Sequence, residues 1–208
     1  MERKKVFRFK SKIIKKINLT SNVKNLTLSV PKEFDFYPGQ FVSLILNKDG
    51  KEIRRPYSIS SPPYKNQSEN SLDICIKIGD EIEVLGPMGT FIINDSLNDL
   101  VFISTGTGIG PFKSMINYLL KNNFQNKIVL LTGYRYKEDV LYDKEFKELE
   151  KKHDNFTYHT ILSKESENDY VQNLVEKNIN KNYHYYICGL KEMVNSVKEL
   201  LEQKGIHK

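Results

Sequence analysis

From the N-terminus to about residue 97 the apolar positions repeat with a period of two. Val6-Phe7-Arg8-Phe9-Lys10 alternates; Val23, Leu26, Leu28 and Val30 mark a second run; residues 40–46 are rich in Val, Leu and Ile. Leu72, Ile74, Ile76 and Ile78 share one parity, and Ile82 and Val84 close a further run ahead of Gly86-Pro87. Side chains two apart in a strand share a face, so each run reads as a strand with one buried side. The runs are bounded by Pro38-Gly39, Asp49-Gly50, Pro62-Pro63 and Gly79-Asp80. Short strands separated by turn signals predict a small antiparallel β-barrel.

From about Leu100 the period changes. Residues 100–105, 127–133, 156–162 and 183–188 are short apolar runs that predict strands. Between and after them, helices are predicted over 111–120 (with Phe112, Met115, Ile116, Leu119 and Leu120 on one face), 139–151 (Phe146 and Leu149), 170–177 and 190–203 (Val194, Val197, Leu200 and Leu201). Strands alternating with helices give a parallel sheet covered on both faces. The expected organisation is a β-barrel domain over 1–97 followed by an α/β domain over 98–208, with no internal repeat or low-complexity linker.

Composition narrows the function classes. The chain is 39% hydrophobic and 11% aromatic, enough to build cores. Its net charge is +6, but the lysines are spread along the chain. Without a basic stripe or a nucleic-acid-binding motif, this excludes nucleic acid as the expected partner; docking of an acidic protein stays open. The two cysteines, Cys75 and Cys188, form no metal-ligand or disulfide pattern, and no metal site is expected. The N-terminus has no apolar segment of the signal-peptide kind, and no apolar run reaches the roughly 20 residues that cross a bilayer. A soluble, cytoplasmic protein is expected.

Four segments carry candidate chemistry. Ser104-Thr105-Gly106-Thr107-Gly108-Ile109-Gly110-Pro111 lies between a strand and a helix. Glycines there let backbone approach a phosphate, and the helix N-terminus adds free N–H groups; alone, the run also fits a tight turn. In Arg54-Arg55-Pro56-Tyr57-Ser58-Ile59-Ser60-Ser61, an aromatic ring, a hydroxyl and a guanidinium suit a flat ring system and a phosphate, or simply a barrel strand. Gly86-Pro87-Met88-Gly89-Thr90-Phe91 reads as a turn. Tyr186-Ile187-Cys188-Gly189 ends the fourth parallel strand, where such sheets bind ligands, although a lone cysteine also serves as packing.

The order and spacing of Arg55-Pro56-Tyr57-Ser58, Gly86-Pro87-x-Gly89-x-Phe91, Gly106-Thr107-Gly108-Ile109-x-Pro111 and Cys188-Gly189-x-x-x-Met193 resemble the ferredoxin–NADP reductase superfamily over nearly the whole chain. The resemblance implies a flavin-binding barrel, a nicotinamide-dinucleotide-binding α/β domain, and electron flow from NADPH or NADH through FAD (or FMN) to a separate acceptor. That acceptor would be a soluble carrier such as ferredoxin or flavodoxin, or an oxygenase. By the same resemblance Tyr57 stacks on the flavin, Ser58 sits near its reactive nitrogen, Arg55 approaches its phosphate, and Gly106, Thr107 and Gly108 line the dinucleotide site. Cys188 lies beside the nicotinamide, so Ser58 and Cys188 are the expected catalytic residues. Pro56, Ile59, Ser60, Gly86, Gly89, Thr90, Ile109, Pro111, Gly189 and Met193 join the expected cofactor-binding set. NADPH-using relatives hold the 2′-phosphate after the second and third parallel strands, where Arg135, Ser163 and Lys164 fall here; ordinary loop positions are the alternative.

Two departures from the family pattern shape the expectations. Ile76-Lys77-Ile78 runs straight into Gly79-Asp80 without the segment that cradles the flavin pyrophosphate in relatives, and the chain ends at Gly205-Ile206-His207-Lys208 without a further strand. They keep two other functions in view: an electron-transfer subunit of a larger dehydrogenase, and a binding module that has lost its flavin.

Overall fold

The computed structural model describes residues 2–48, 50–63, 70–76, 82–94, 97–165 and 169–206. The Gly79-Asp80 turn, the facing of Ile78 and the direct Ile78–Gly79 junction lie outside the described residues. The chain divides into two units, 1–94 with 110–122, and 95–109 with 123–208.

The first unit contains β1 (Phe7–Ser11), β2 (Ile13–Asn18), β3 (Lys24–Ser29), β4 (Phe41–Lys48), β5 (Lys51–Ser58), β6 (Ser71–Ile76) and β7 (Ile82–Met88). They form two antiparallel sheets, ordered β1-β7-β4-β5 and β2-β3-β6. Ser29 grips the corner where β1 passes into β2: its N–H donates to the Lys12 carbonyl at 2.9 Å, and its hydroxyl accepts from the Lys12 N–H at 2.9 Å. At the opposite corner Ile59 bridges Ile74, and the Ser60 N–H donates to the Asp73 carbonyl at 2.8 Å. Leu26, Leu28, Val42, Leu44, Ile74 and Val84 fill the interior between the sheets, as the period-two pattern requires.

Two strands had no such pattern. β2 reads Ile-Ile-Lys-Lys-Ile-Asn and pairs only through β3, and β5 opens Lys-Glu-Ile-Arg-Arg; both are largely exposed. A strand that buries little carries little alternation, and its pairing comes from its neighbours.

The second unit holds β8 (Leu100–Thr105), β9 (Ile128–Tyr134), β10 (Phe156–Leu162) and β11 (His184–Cys188), all parallel in the order β10-β9-β8-β11. Its helices are α2 (Asp143–Lys152), α3 (Val171–Lys177) and α4 (Lys191–Gln203). Val101, Ile103, Leu131, Val175, Val197 and Leu201 form the core beneath α3 and α4. The helix expected from Asp139 starts at Asp143, because Lys137–Asp139 makes a separate 3-10 turn.

The helix α1 (Ile109–Lys121) follows β8 in the chain, yet from Gly110 onward it belongs to the first unit. The Ser114 hydroxyl donates to the Ser61 carbonyl at 2.6 Å, and the Phe112 ring lies 6.0 Å from that of Phe91. The expected one-sided helix is in fact buried nearly all round: Lys113 and Ser114 are buried along with its apolar face. Among the described residues, no helix is long and apolar enough to cross a membrane.

Leu28 and Leu44 are 0% and 1% exposed within the barrel core. Replacing either with alanine is expected to lower unfolding free energy by about 2–5 kcal/mol, read from the midpoint of a urea transition. A loss under about 1 kcal/mol would mean the barrel interior is not the close-packed core described.

Candidate functional site

In the second unit the candidate residues gather at the carboxyl ends of the parallel strands. β8 ends at Thr105, and Gly106–Gly108 makes a 3-10 turn that leads directly into α1. A β-carbon on Gly108 would lie 2.7 Å from both the Cys188 carbonyl carbon and the Gly189 Cα. The turn can therefore close on the end of β11 only with glycine there. Gly189 is under the same constraint: φ is +155°, and a β-carbon would meet the Thr105 nitrogen at 2.9 Å and the Met193 Cε at 2.8 Å. The Thr105 hydroxyl accepts from the Leu190 N–H at 3.2 Å. Two loop ends are thereby locked backbone to backbone, which leaves Thr107 exposed at the crest and Cys188 half-buried beside it.

Cys188 is unpaired, and burial pushes its thiol pKa up. It is therefore a neutral thiol at neutral pH, a packing and hydrogen-bonding group and not an anionic nucleophile.

The adjoining strand ends bring Arg135, Ser163 and Lys164 together. The Ser163 N–H donates to the Tyr134 carbonyl at 2.9 Å and the Lys164 N–H to the Arg135 carbonyl at 3.1 Å. Arg135 and Lys164 are exposed, and neither is ion-paired among the described residues. A β-carbon on Gly133 would touch Val171, the first residue of α3, at 3.2 Å. This places the exposed Tyr170 ring near the same edge, a flat surface missed from the sequence because nothing local distinguishes it from an ordinary loop tyrosine.

In the first unit, β5 separates two adjacent arginines by function. Arg54 donates to Glu52 at 2.7 Å, and Glu52 and Glu83 both accept from Arg8. The Arg54 hydrogen bond holds the Glu52 carboxyl below its usual range. Arg55 takes the opposite parity and makes no ion pair among the described residues. Tyr57 is half-buried against the barrel core, and Ser58 is half-buried at the strand end. Neither hydroxyl has a hydrogen-bond partner among the described residues. Pro56, between Arg55 and Tyr57, is exposed.

Gln40, which carried no signal beyond its place after Pro38-Gly39, holds this edge together. Its side-chain oxygen accepts from the Tyr37 N–H at 2.8 Å, its amide donates to the Gly89 carbonyl at 3.1 Å, and its backbone carbonyl accepts from the Ile59 N–H at 2.9 Å. Gly86 is buried against Val42, while Gly89 and Thr90 are exposed.

Some expected site residues turn elsewhere. Ile59 is fully buried in the barrel core, and the Ser60 hydroxyl lies buried against Asn25 at 3.5 Å. Their N–H groups are bonded to the Gln40 and Asp73 carbonyls, and neither side chain is exposed. Ile109 is fully buried and Pro111 is buried in the first turn of α1, where a residue without an N–H leaves no unmet donor. Met193 is buried in the second unit's core, its methyl group under Gly189.

Labelling of Cys188 by iodoacetamide is expected to be slow at neutral pH and to rise only above about pH 8.5, where an unperturbed thiol ionises. A labelling midpoint well below that value would contradict a burial-dominated thiol.

Two family models match the chain: the oxidoreductase FAD-binding domain over residues 10–78 and the oxidoreductase NAD-binding domain over 102–199. The chain is 26% identical over 211 residues to the reductase component of a phenol 2-monooxygenase from Pseudomonas sp. strain CF600, covering 90% of this chain and 59% of that protein. It is 28% identical over 210 residues to a chloroplastic root ferredoxin–NADP reductase of Arabidopsis thaliana, covering 91% and 54%. The chain thus spans little more than half the length of these two relatives. Among solved structures, the ferredoxin–NADP+ reductase of Plasmodium falciparum with 2′P-AMP aligns at a TM-score of 0.78 and 28% identity, covering 94% of this chain and 92% of that one. With an FAD-binding and then a NAD-binding oxidoreductase domain matched in order over a barrel and a parallel sheet, this chain belongs to the ferredoxin–NADP reductase superfamily.

Proposed function

We propose that this protein is an NAD(P)H-dependent flavin oxidoreductase that passes electrons to a separate acceptor. The observation that carries the reading is the glycine-only approach of Gly108 to Cys188-Gly189 at the carboxyl ends of parallel strands. Such an edge binds nucleotides, and backbone this close leaves N–H groups and a half-buried thiol as the surface a dinucleotide meets.

A flavin, when bound, would supply the redox chemistry between reduced nicotinamide and the acceptor. The chain binds and orients. Arg55, left unpaired while Arg54 is tied into the carboxylates, would hold a flavin phosphate. Tyr57 would lay its ring against the flavin, and the Ser58 hydroxyl would hydrogen-bond near its reactive nitrogen. The residues present fit such a group, because the half-buried Tyr57 ring and the Ser58 hydroxyl, both at the end of β5, have no hydrogen-bond partner among the described residues. Thr107 and the glycine turn would hold the dinucleotide, and Cys188 would pack beside the nicotinamide as a neutral thiol.

Arg135, Ser163 and Lys164 would hold a 2′-phosphate, with Tyr170 offering a flat face to an adenine; the 2′P-AMP carried by the Plasmodium relative supports NADPH as donor. The acceptor is a soluble carrier protein or an oxygenase component, in line with the phenol 2-monooxygenase reductase relative, and the setting is cytoplasmic.

The direct test is the visible spectrum of purified, FAD-supplemented protein followed by anaerobic addition of NADPH or NADH. A flavin band that bleaches within turnover time supports the reading; no bound flavin, or a band that neither donor bleaches, overturns it. Arg135→Ala is expected to raise the KM for NADPH by roughly tenfold, the loss of one charge-assisted phosphate contact, and to leave that for NADH unchanged. Gly108→Ala is expected to weaken binding of both nucleotides while flavin content stays at wild-type level, measured by titration of the flavin spectrum with oxidised nucleotide. An unchanged affinity would mean the turn does not form the dinucleotide site.

A further inference from the structure

Four polar residues share one register across the parallel sheet. Thr160 pairs Thr132, Thr132 pairs Ser104, and Ser104 pairs Cys188, on β10, β9, β8 and β11 in turn. Register partners on adjacent strands present their side chains to the same face, so these form one row, one residue short of the glycine turn. The row is unevenly bonded. The Thr132 hydroxyl lies 2.8 Å from that of Thr160 and 3.3 Å from the His159 carbonyl. Ser104 is fully buried, and its hydroxyl has no hydrogen-bond partner among the described residues.

A buried hydroxyl without a partner has lost its water contacts with no replacement, and such groups are rare enough to call for a reason. Ser104 has two lateral neighbours on this face. Thr132 is already shared between Thr160 and His159. The other is Cys188, which forms no disulfide and no hydrogen bond among the described residues. Adjacent strands lie about 4.8 Å apart, a gap that a hydroxyl and a thiol on neighbouring β-carbons span by side-chain rotation alone.

We propose that the Ser104 hydroxyl is a positioning group for Cys188, accepting a hydrogen bond from its S–H across the β8–β11 pair and fixing the thiol's rotamer. The Cys188 backbone is already held by its ladder to β8 and by the approach of Gly108, so rotation about its Cα–Cβ bond is the freedom that remains. A neutral thiol both donates and accepts weakly, and a hydroxyl on the buried side leaves the thiol's other face toward the strand end. The kinetic part of this inference rests on the reading of Cys188 as the residue beside the nicotinamide; the hydrogen bond itself does not.

The test is the infrared sulfhydryl stretch of the flavin-loaded protein, with the Cys188 band assigned by its loss in Cys188→Ala. In Ser104→Ala the band is expected to move to higher frequency, as for a thiol released from a hydrogen bond, and in Ser104→Thr to stay near its wild-type position. Thr132→Val, which alters the other side of Ser104, is expected to leave it unmoved. Flavin reduction in a single turnover is expected to slow about 2- to 10-fold in Ser104→Ala, the weight of one ordinary hydrogen bond, and to recover in Ser104→Thr. An unmoved Cys188 band in folded Ser104→Ala overturns the proposal, as does a shift seen only in Thr132→Val. A band shift in protein that neither nucleotide reduces would sink the reductase reading and leave the Ser104–Cys188 pair standing.

Discussion

The second unit's functional edge depends on one steric constraint, the contact of two backbones where side chains cannot fit. Gly108 closes on Cys188-Gly189 so tightly that a β-carbon there would lie 2.7 Å from the Cys188 carbonyl carbon, and one on Gly189 would lie 2.9 Å from the Thr105 nitrogen. Everything else there follows from that closeness. Thr105 can reach the Leu190 N–H, Met193 packs under Gly189, and the thiol of Cys188 is held half-buried at the mouth of the sheet. The constraint also sets the chemistry: burial without a charged partner keeps the thiol neutral, which suits a group that packs against a ring and holds a position.

The first unit reaches a comparable result with polar side chains. Gln40 joins the Tyr37 turn, the Gly89 turn and the end of β5 through three hydrogen bonds. A buried amide with both ends satisfied ties the Tyr37 and Gly89 turns, and the same residue's backbone carbonyl holds the end of β5, more specifically than apolar packing can, because hydrogen-bond partners are directional. On the outer face of the barrel, Arg8 bridges Glu83 and Glu52, and Glu52 takes Arg54. Exposed pairs of this kind contribute little to stability. Their consequence is selective: one of two consecutive arginines is neutralised, and Arg55 is left with its charge available.

Buried polarity also marks the row Cys188, Ser104, Thr132 and Thr160. The row two residues nearer the amino ends, Tyr158, Leu130, Phe102 and Tyr186, is apolar or aromatic, with Phe102 stacked on Tyr186 at 5.3 Å. The change from apolar to polar occurs within one step of the strand ends, where the sheet passes from core to ligand edge. Stability would favour alanine or valine at Ser104, so the hydroxyl there is more naturally explained by what it touches than by the fold.

Much of this was legible in the sequence. Period-two alternation in the first half and strand–helix alternation in the second determined a barrel and a parallel sheet, since burial on one face imposes its period on any strand or helix. β8, β9, β10 and β11 fall within a residue or two of where their apolar runs placed them. The glycine turn was visible because no other residue tolerates that approach. β2 and β5 left weak traces because exposed strands take their pairing from neighbours. Ile59 and Ser60 could not be told from Tyr57 and Ser58 in a linear motif; only the corner at the end of β5, where the chain crosses to Asp73 and Ile74, turns them inward. The assignment of α1 to the first unit, the three bonds of Gln40 and the row through Ser104 were decided by tertiary structure alone, because each joins residues far apart in the chain whose local sequence carries no record of their partner.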